Sequence, residues 1–158
     1  MLNATISNFE YTCQILKSNM EQRLNMITLG VRDLNESIEF YENVIGWQKM
    51  DWESDNIAFF KLNGIILSLF PSDDLAKDAT VKNDGKGFKR FTLAYNTRSE
   101  QEVDEIIRTL GQKGVKIIKQ PEKVFWGGYS GYFADPDDNL WEVAYNPFLS
   151  LDDEGNVK

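Results

Sequence analysis

A carboxylate stands in the middle of a strand-like run at Glu142, within GYFADPDDNLWEVAYNP, residues 131–147. In a strand of period two, Leu140, Glu142 and Ala144 share one face, and Trp141, Val143 and Tyr145 share the other. Glu142 therefore points with small or aliphatic neighbours, into a cavity or into solvent. The chain contains no histidine, which removes Ser–His and Cys–His nucleophile pairs, imidazole-ligated metals and the usual general base near neutral pH. Any chemistry runs on carboxylates, Tyr, Lys, Arg, Ser or backbone amides. Just upstream, FWGGYSGYF sets Gly127, Gly128 and Gly131 among aromatic residues, which reads equally well as a pocket rim or as a bulged edge segment. Trp126 is the ring expected to lie in a pocket. Tyr129 and Ser130 offer hydroxyls to a ligand, although exposed loop polarity is the commoner use of such residues.

The elements that must position these groups are organised as a repeat. MITLGVRDLNESIEFYENVIGW from Met26 aligns with RFTLAYNTRSEQEVDEIIRTLGQKG from Arg90, matching Ile27-Thr28-Leu29 to Phe91-Thr92-Leu93. Each copy opens with a strand, residues 24–31 and 88–95, then a helix with Asp33 or Asn35, and Ser99, as candidate N-caps. Ile38, Tyr41 and Ile45 form one apolar stripe; Val103, Ile106, Ile107 and Leu110 form the other. Glycine ends each helix, at Gly46 and at Gly111 or Gly114. Three strand-like runs follow in each copy: Trp47–Trp52, Ile57–Leu62 and Ile65–Phe70, then Val115–Lys119, Gly131–Ala134 and Leu140–Tyr145. The fold class predicted is α+β, two βαβββ modules. Their bounds are an N-terminal extension at 1–22, a first module at 23–71, a linker at 72–87 with a helical turn at Asp73–Lys77, a second module at 88–148 and a tail at 149–158.

Composition narrows the function classes. A chain of 158 residues with 42% apolar content buries enough surface to fold without staples. Cys13 is the sole cysteine, so an internal disulfide and a CxxC site are excluded, which suits a reducing cytoplasm. No signal sequence and no membrane span is expected. A net charge of −8 disfavours nucleic acid as a partner and mildly favours cationic ligands. DPDDN resembles the start of an EF-hand loop, but Leu140 stands where glycine is needed and Asn146 where the bidentate glutamate belongs; it is expected to be a turn. GKGFKR, Gly85–Arg90, is too short for a P-loop and is read as linker. Trp47, Trp52, Trp126 and Trp141 with Phe125, Tyr129 and Tyr132 give an aromatic density suited to planar or cationic ligands, about half of which core packing would absorb.

The stretches ITLGVRDLNESIEFYENVIGW, FTLAYNTRSEQEVDEII and WGGYSGYFADPDDNLWEVAYNPF resemble the vicinal oxygen chelate superfamily, also called the glyoxalase/bleomycin-resistance/dioxygenase family. FFKLNGIILSLFP and the tail FLSLDDEGNVK are also similar to a bacterial glyoxalase-like subgroup. The resemblance implies a cup-shaped mixed sheet holding a ligand, commonly in a homodimer. It also implies metal ligands at the starts of the two first strands and on the last strand of each module. Glu142 matches the final glutamate ligand. Met26 and Arg90 stand where histidines are common, and the remaining position falls at Leu67 or Ser68. Glu142 with water and Ser68 would not supply the ligand count that fixes Zn²⁺, Ni²⁺ or Fe²⁺, so a divalent metal is disfavoured and no cofactor is expected. Arg90 is expected to face Glu142 as a charge-assisted pair, in a functional or a purely structural role.

Three functions remain open on this reading. One is a metal-independent module binding a small cationic or aromatic molecule through Met26, Ser68, Arg90, Trp126, Tyr129 and Glu142. Another is a glyoxalase-like lyase, isomerase or thiol transferase with Glu142 as metal ligand. The third is a metal-free enzyme with Glu142 as base and Arg90 stabilising an enolate or carboxylate.

Overall fold

The computed structural model describes residues 22–52 and 56–158. All of the expected N-terminal extension except Gln22 lies outside the described residues, as does Cys13. Apolar side chains on one face of each strand build the first sheet. In β1 (Met26–Val31) the residues Leu29 and Val31 are buried, in β2 (Ala58–Lys61) Ala58 and Phe60, and in β3 (Ile66–Pro71) Leu67 and Leu69. These side chains meet Phe40 and Tyr41 of the helix that follows β1. The sheet order is β1-β3-β2, with β1 parallel to β3 and β2 antiparallel to it.

Helix α1 (Leu34–Glu39) starts where Asp33 accepts hydrogen bonds from the backbone of Asn35 at 2.9 Å and Glu36 at 3.1 Å. It then widens into a π-helical stretch over Phe40–Ile45. Gly46 closes that stretch in the left-handed conformation, φ 88°, as its sequence position predicts. The expected strand Trp47–Trp52 is reduced to a bridge between Lys49 and Phe60, reinforced by Met50 N–H donating to the Phe59 carbonyl at 2.8 Å. The chain leaves the π-helical turn with Trp47 bonded back to the Tyr41 carbonyl at 2.9 Å, and Trp47 stacks on Tyr41. That segment therefore serves ring packing before it can run along a sheet. Helix α2 (Ser72–Asp78) covers the expected helical turn at Asp73–Lys77.

The second sheet repeats the first in the order β4-β7-β6-β5, again with one parallel pair. Its strands are β4 (Leu93–Thr97), β5 (Lys116–Lys123), β6 (Tyr129–Ala134) and β7 (Leu140–Tyr145). Helix α3 (Glu100–Gln112) begins at Ser99, whose hydroxyl accepts from Glu102 N–H at 3.2 Å. Val103, Ile107 and Leu110 of α3 share a core with Phe133, Trp141 and Val143. The first strand of this half starts at Leu93, later than the expected residue 88. Aligning the caps Asp33 and Ser99 pairs Leu29 with Tyr95, whereas the sequence repeat pairs Leu29 with Leu93. Residues 88–92 leave the sheet because Arg90 adopts a left-handed backbone, φ 64°, incompatible with a strand.

Between the halves, DPDDN is a turn, as expected, and it is buried as well. Asp135, Asp137 and Asn139 are all shielded. Asp137 accepts from the Arg32 backbone at 2.8 Å, from Arg32 Nε at 3.0 Å and from Ser37 Oγ at 2.8 Å. Asp135 accepts from Tyr41 Oη at 2.8 Å, and Tyr41 Oη accepts in turn from Trp141 Nε1 at 3.1 Å. Burial foremost, and then Asp135, pushes the Tyr41 phenol well above 10. Trp47 and Trp141, two of the rings singled out in the sequence, go into this junction, where they pack with Tyr41 and Phe133.

Candidate functional site

Strand alternation decides which groups are available for chemistry. Odd-numbered residues of β6 and β7 face α3, so Glu142, Tyr132 and Ser130 lie on the face turned away from the helix. Register places Tyr132 directly opposite Glu142, Lys119 opposite Tyr132, and Ala94 on the far side of Glu142. A row of four adjacent strands thus presents Ala94, Glu142, Tyr132 and Lys119. Glu142 and Tyr132 are half-buried. The Tyr132 hydroxyl is pushed up to about 12, by burial first and then by the charge and hydrogen bonding of Glu142. Lys119 Nζ stands 6.0 Å from the Tyr132 ring centroid and pairs with Glu122 at 3.1 Å. The row holds an acceptor, a neutral O–H donor and an ammonium. A polar molecule lying across it would be met by all three.

The first sheet presents the equivalent face through Met26, Thr28 and Ser68. Thr28 and Ser68 are register partners with their hydroxyl oxygens 2.6 Å apart, and Ser68 is buried while Met26 is 39% exposed. The ambiguity between Leu67 and Ser68 resolves here: Leu67 points into the core and Ser68 to the opposite face.

The remaining expected site residues are placed elsewhere. Arg90 is exposed in the loop before β4, and among the described residues no ion pair joins it to Glu142. Tyr129 turns toward α3, where its hydroxyl donates to Asp104 at 2.8 Å, and that bond is the first cause of its raised pKa. Trp126 folds over the β5–β6 turn; a Cβ on Gly128 would stand 1.9 Å from its ring. The glycine is required for that close approach. Sequence reasoning counts Tyr132 only as an aromatic ring, not as the partner of Glu142, and does not single out Lys119. Tyr132 was within reach of it: pairing the strands outward from the DPDDN turn sets Tyr132 against Glu142. Lys119 was not, because β5 pairs with β6 through register shifts on either side of it.

Metal ligation at the positions implied by the family resemblance is not supported by the donors present. Met26 is a soft thioether, Arg90 is a permanent cation, Ser68 shares its hydroxyl with Thr28, and Glu142 is the one carboxylate. Among the described residues no group of three or more His, Cys, Asp or Glu side chains converges. A second copy of a histidine-free chain adds no imidazole.

Comparison with known proteins agrees with this architecture. The family model of the Glyoxalase/Bleomycin resistance protein/Dioxygenase superfamily matches residues 23–143. The metallothiol transferase FosB of Lysinibacillus sphaericus is 31% identical over 121 residues, covering 77% of this chain and 80% of that protein. The fosfomycin resistance protein FosX of Listeria monocytogenes is 29% identical over 126 residues, covering 76% and 86%. Among solved structures, a glyoxalase-related enzyme from Fulvimarina pelagi superposes with a TM-score of 0.77 at 32% identity, covering 87% of this chain and 98% of that one. With this match spanning most of its length, and with paired sheets built alike, the chain belongs to the Glyoxalase/Bleomycin resistance protein/Dioxygenase superfamily.

Proposed function

We propose that the protein binds a small molecule across the helix-free face of its second sheet, without a metal held by its own side chains. The observation that carries this reading is the cross-strand pair of Glu142 and Tyr132. Glu142 accepts a hydrogen bond from the ligand, a role that a cationic group fills well. Tyr132 stays protonated throughout the physiological range, and its single O–H turns from Glu142 to a ligand oxygen when a ligand donor takes its place on the carboxylate. The same pair can move a proton, with Glu142 as base and Tyr132 as donor to a developing oxyanion.

A second copy of the chain completes the enclosure in this proposal. Phe88 and Phe91, 64% and 42% exposed, border a recess that Leu140 of the Glu142 face also lines. Leaving such rings in water is unfavourable, and a homodimer would cover them. Among the described residues no helix is long and apolar enough to cross a membrane.

A second reading, metal-assisted thiol transfer, is favoured by the identity to a protein named metallothiol transferase. Native mass spectrometry with elemental analysis separates the two. We expect a co-purified or added small molecule to be retained after exhaustive chelation and to be lost in Glu142→Gln and Tyr132→Phe. A stoichiometric transition metal that is required for retention and lost in Glu142→Gln would give the site to the second reading.

A further inference from the structure

We propose a second site, an anion-binding groove built by the segment between the two sheets, which takes a small, multiply charged phosphate-type ligand. The groove runs along α2 and the loop before β4, and Arg32, Lys82, Lys86, Lys89 and Arg90 line it with Asp137 as the sole acidic lining residue. Such a concentration of cations is anomalous in a chain whose net charge is −8, since like charges gathered in one place repel unless an anion is drawn in.

The charges are only partly answered within the protein. Asp137 is committed, with one oxygen held by Arg32 and the other by Ser37. Lys89 Nζ is oriented by neutral acceptors, the Asp137 carbonyl at 3.1 Å and Asn139 Oδ1 at 2.8 Å, which fix its position without offsetting its charge. Among the described residues Lys82, Lys86 and Arg90 form no ion pair. The loop that carries Lys86, Lys89 and Arg90 turns at Gly87 and Arg90, which both take left-handed conformations, φ 79° and 64°. Glycine enters that region freely, whereas arginine does so at a conformational cost that is typically retained where it serves a site.

The ligand class follows from the donors. Ammonium groups and a guanidinium converging on one groove reward an anion with several oxygens and more than one charge, because each cation then finds its own acceptor. A single carboxylate leaves most of them unmatched. The groove is open and measures about 790 Å³, and Glu142 takes no part in it. GKGFKR, read from the sequence as linker, thereby gains a function as the cationic wall. The groove is independent of the proposed role of Glu142, so either can fail alone.

The test is calorimetric titration of the full chain with inorganic pyrophosphate and with inorganic phosphate, at constant ionic strength maintained with sodium chloride. Saturable binding is expected, tighter for pyrophosphate, and weakened about tenfold by Lys86→Glu and by Arg90→Gly. Arg90→Gly removes the charge at a backbone position that glycine prefers, so its fold is secure; Lys61→Glu, an exposed charge reversal on β2, serves as the control. Amide spectra of each variant verify the fold. Absence of saturable binding at constant ionic strength overturns the proposal, as does a loss in Lys61→Glu equal to that in Lys86→Glu.

Discussion

Tyr132 and Glu142 face each other as register partners on neighbouring strands, and the phenol is held protonated up to about 12. Burial is the largest single cause, and Glu142 adds to it through its charge and its hydrogen bond. Glu142→Gln should therefore bring the Tyr132 pKa only part of the way back toward 10. Tyrosinate absorbance against pH, assigned by difference from Tyr132→Phe, checks this; an unshifted titration in the Gln variant would show that the two groups do not interact.

The sign of the accompanying pH dependence is determined by the same shift. A tyrosine whose folded pKa is raised binds its proton more tightly in the native state, so its stabilising contribution is complete below the ordinary value of 10. That contribution disappears as pH climbs through about 12. Denaturation midpoints between these limits should fall less steeply in Tyr132→Phe than in the wild type, and parallel slopes would contradict the assignment.

Tyr41 joins the halves of the molecule through Asp135 and Trp141. Removing its hydroxyl in Tyr41→Phe leaves Trp141 Nε1 without its acceptor and deprives Asp135 of one donor among several. Loss of a buried hydrogen-bond partner of this kind costs about 1–3 kcal/mol. Chemical denaturation measures it, and a change under about 0.5 kcal/mol would mean that the junction is not stabilised by this network.

Gly128 carries the Trp126 ring. An alanine there places a methyl group 1.9 Å from the indole, so the ring must swing away. Gly128→Ala should redden tryptophan emission as the ring enters water and destabilise the fold by about 1–3 kcal/mol. An unchanged spectrum would mean that the ring has another equally good seat.

Chelation distinguishes the roles open to Glu142. With Arg90 in an exposed loop, Glu142→Gln leaves no guanidinium unpaired, and its effect on stability should stay within about 1 kcal/mol. The melting temperature of the wild type should be indifferent to chelator. A sharp drop on chelation that is absent in Glu142→Gln would identify the carboxylate as a metal ligand.

The sequence by itself determined the repeat, the helix caps, the glycine stop at Gly46 and the strand Leu140–Tyr145 that carries Glu142. Each of these depends on local chemistry: side-chain oxygens that cap a helix, a residue without Cβ where the backbone turns left-handed, and alternation of period two. The face on which Glu142 lies followed from the same alternation. Only the tertiary structure decided what surrounds that carboxylate. The family resemblance, together with a repeat aligned on its matching Thr-Leu residues, sets Arg90 opposite Glu142, whereas the caps set a different alignment and a left-handed turn takes Arg90 out of the strand. Tyr132 and Lys119 meet Glu142 through pairing across strands, and register between distant segments is set by packing that no short stretch contains. The basic groove is divided between the two: Lys82, Lys86, Lys89 and Arg90 are neighbours in the sequence, whereas Arg32, Asp137 and the wall of α2 are brought against them only by the fold.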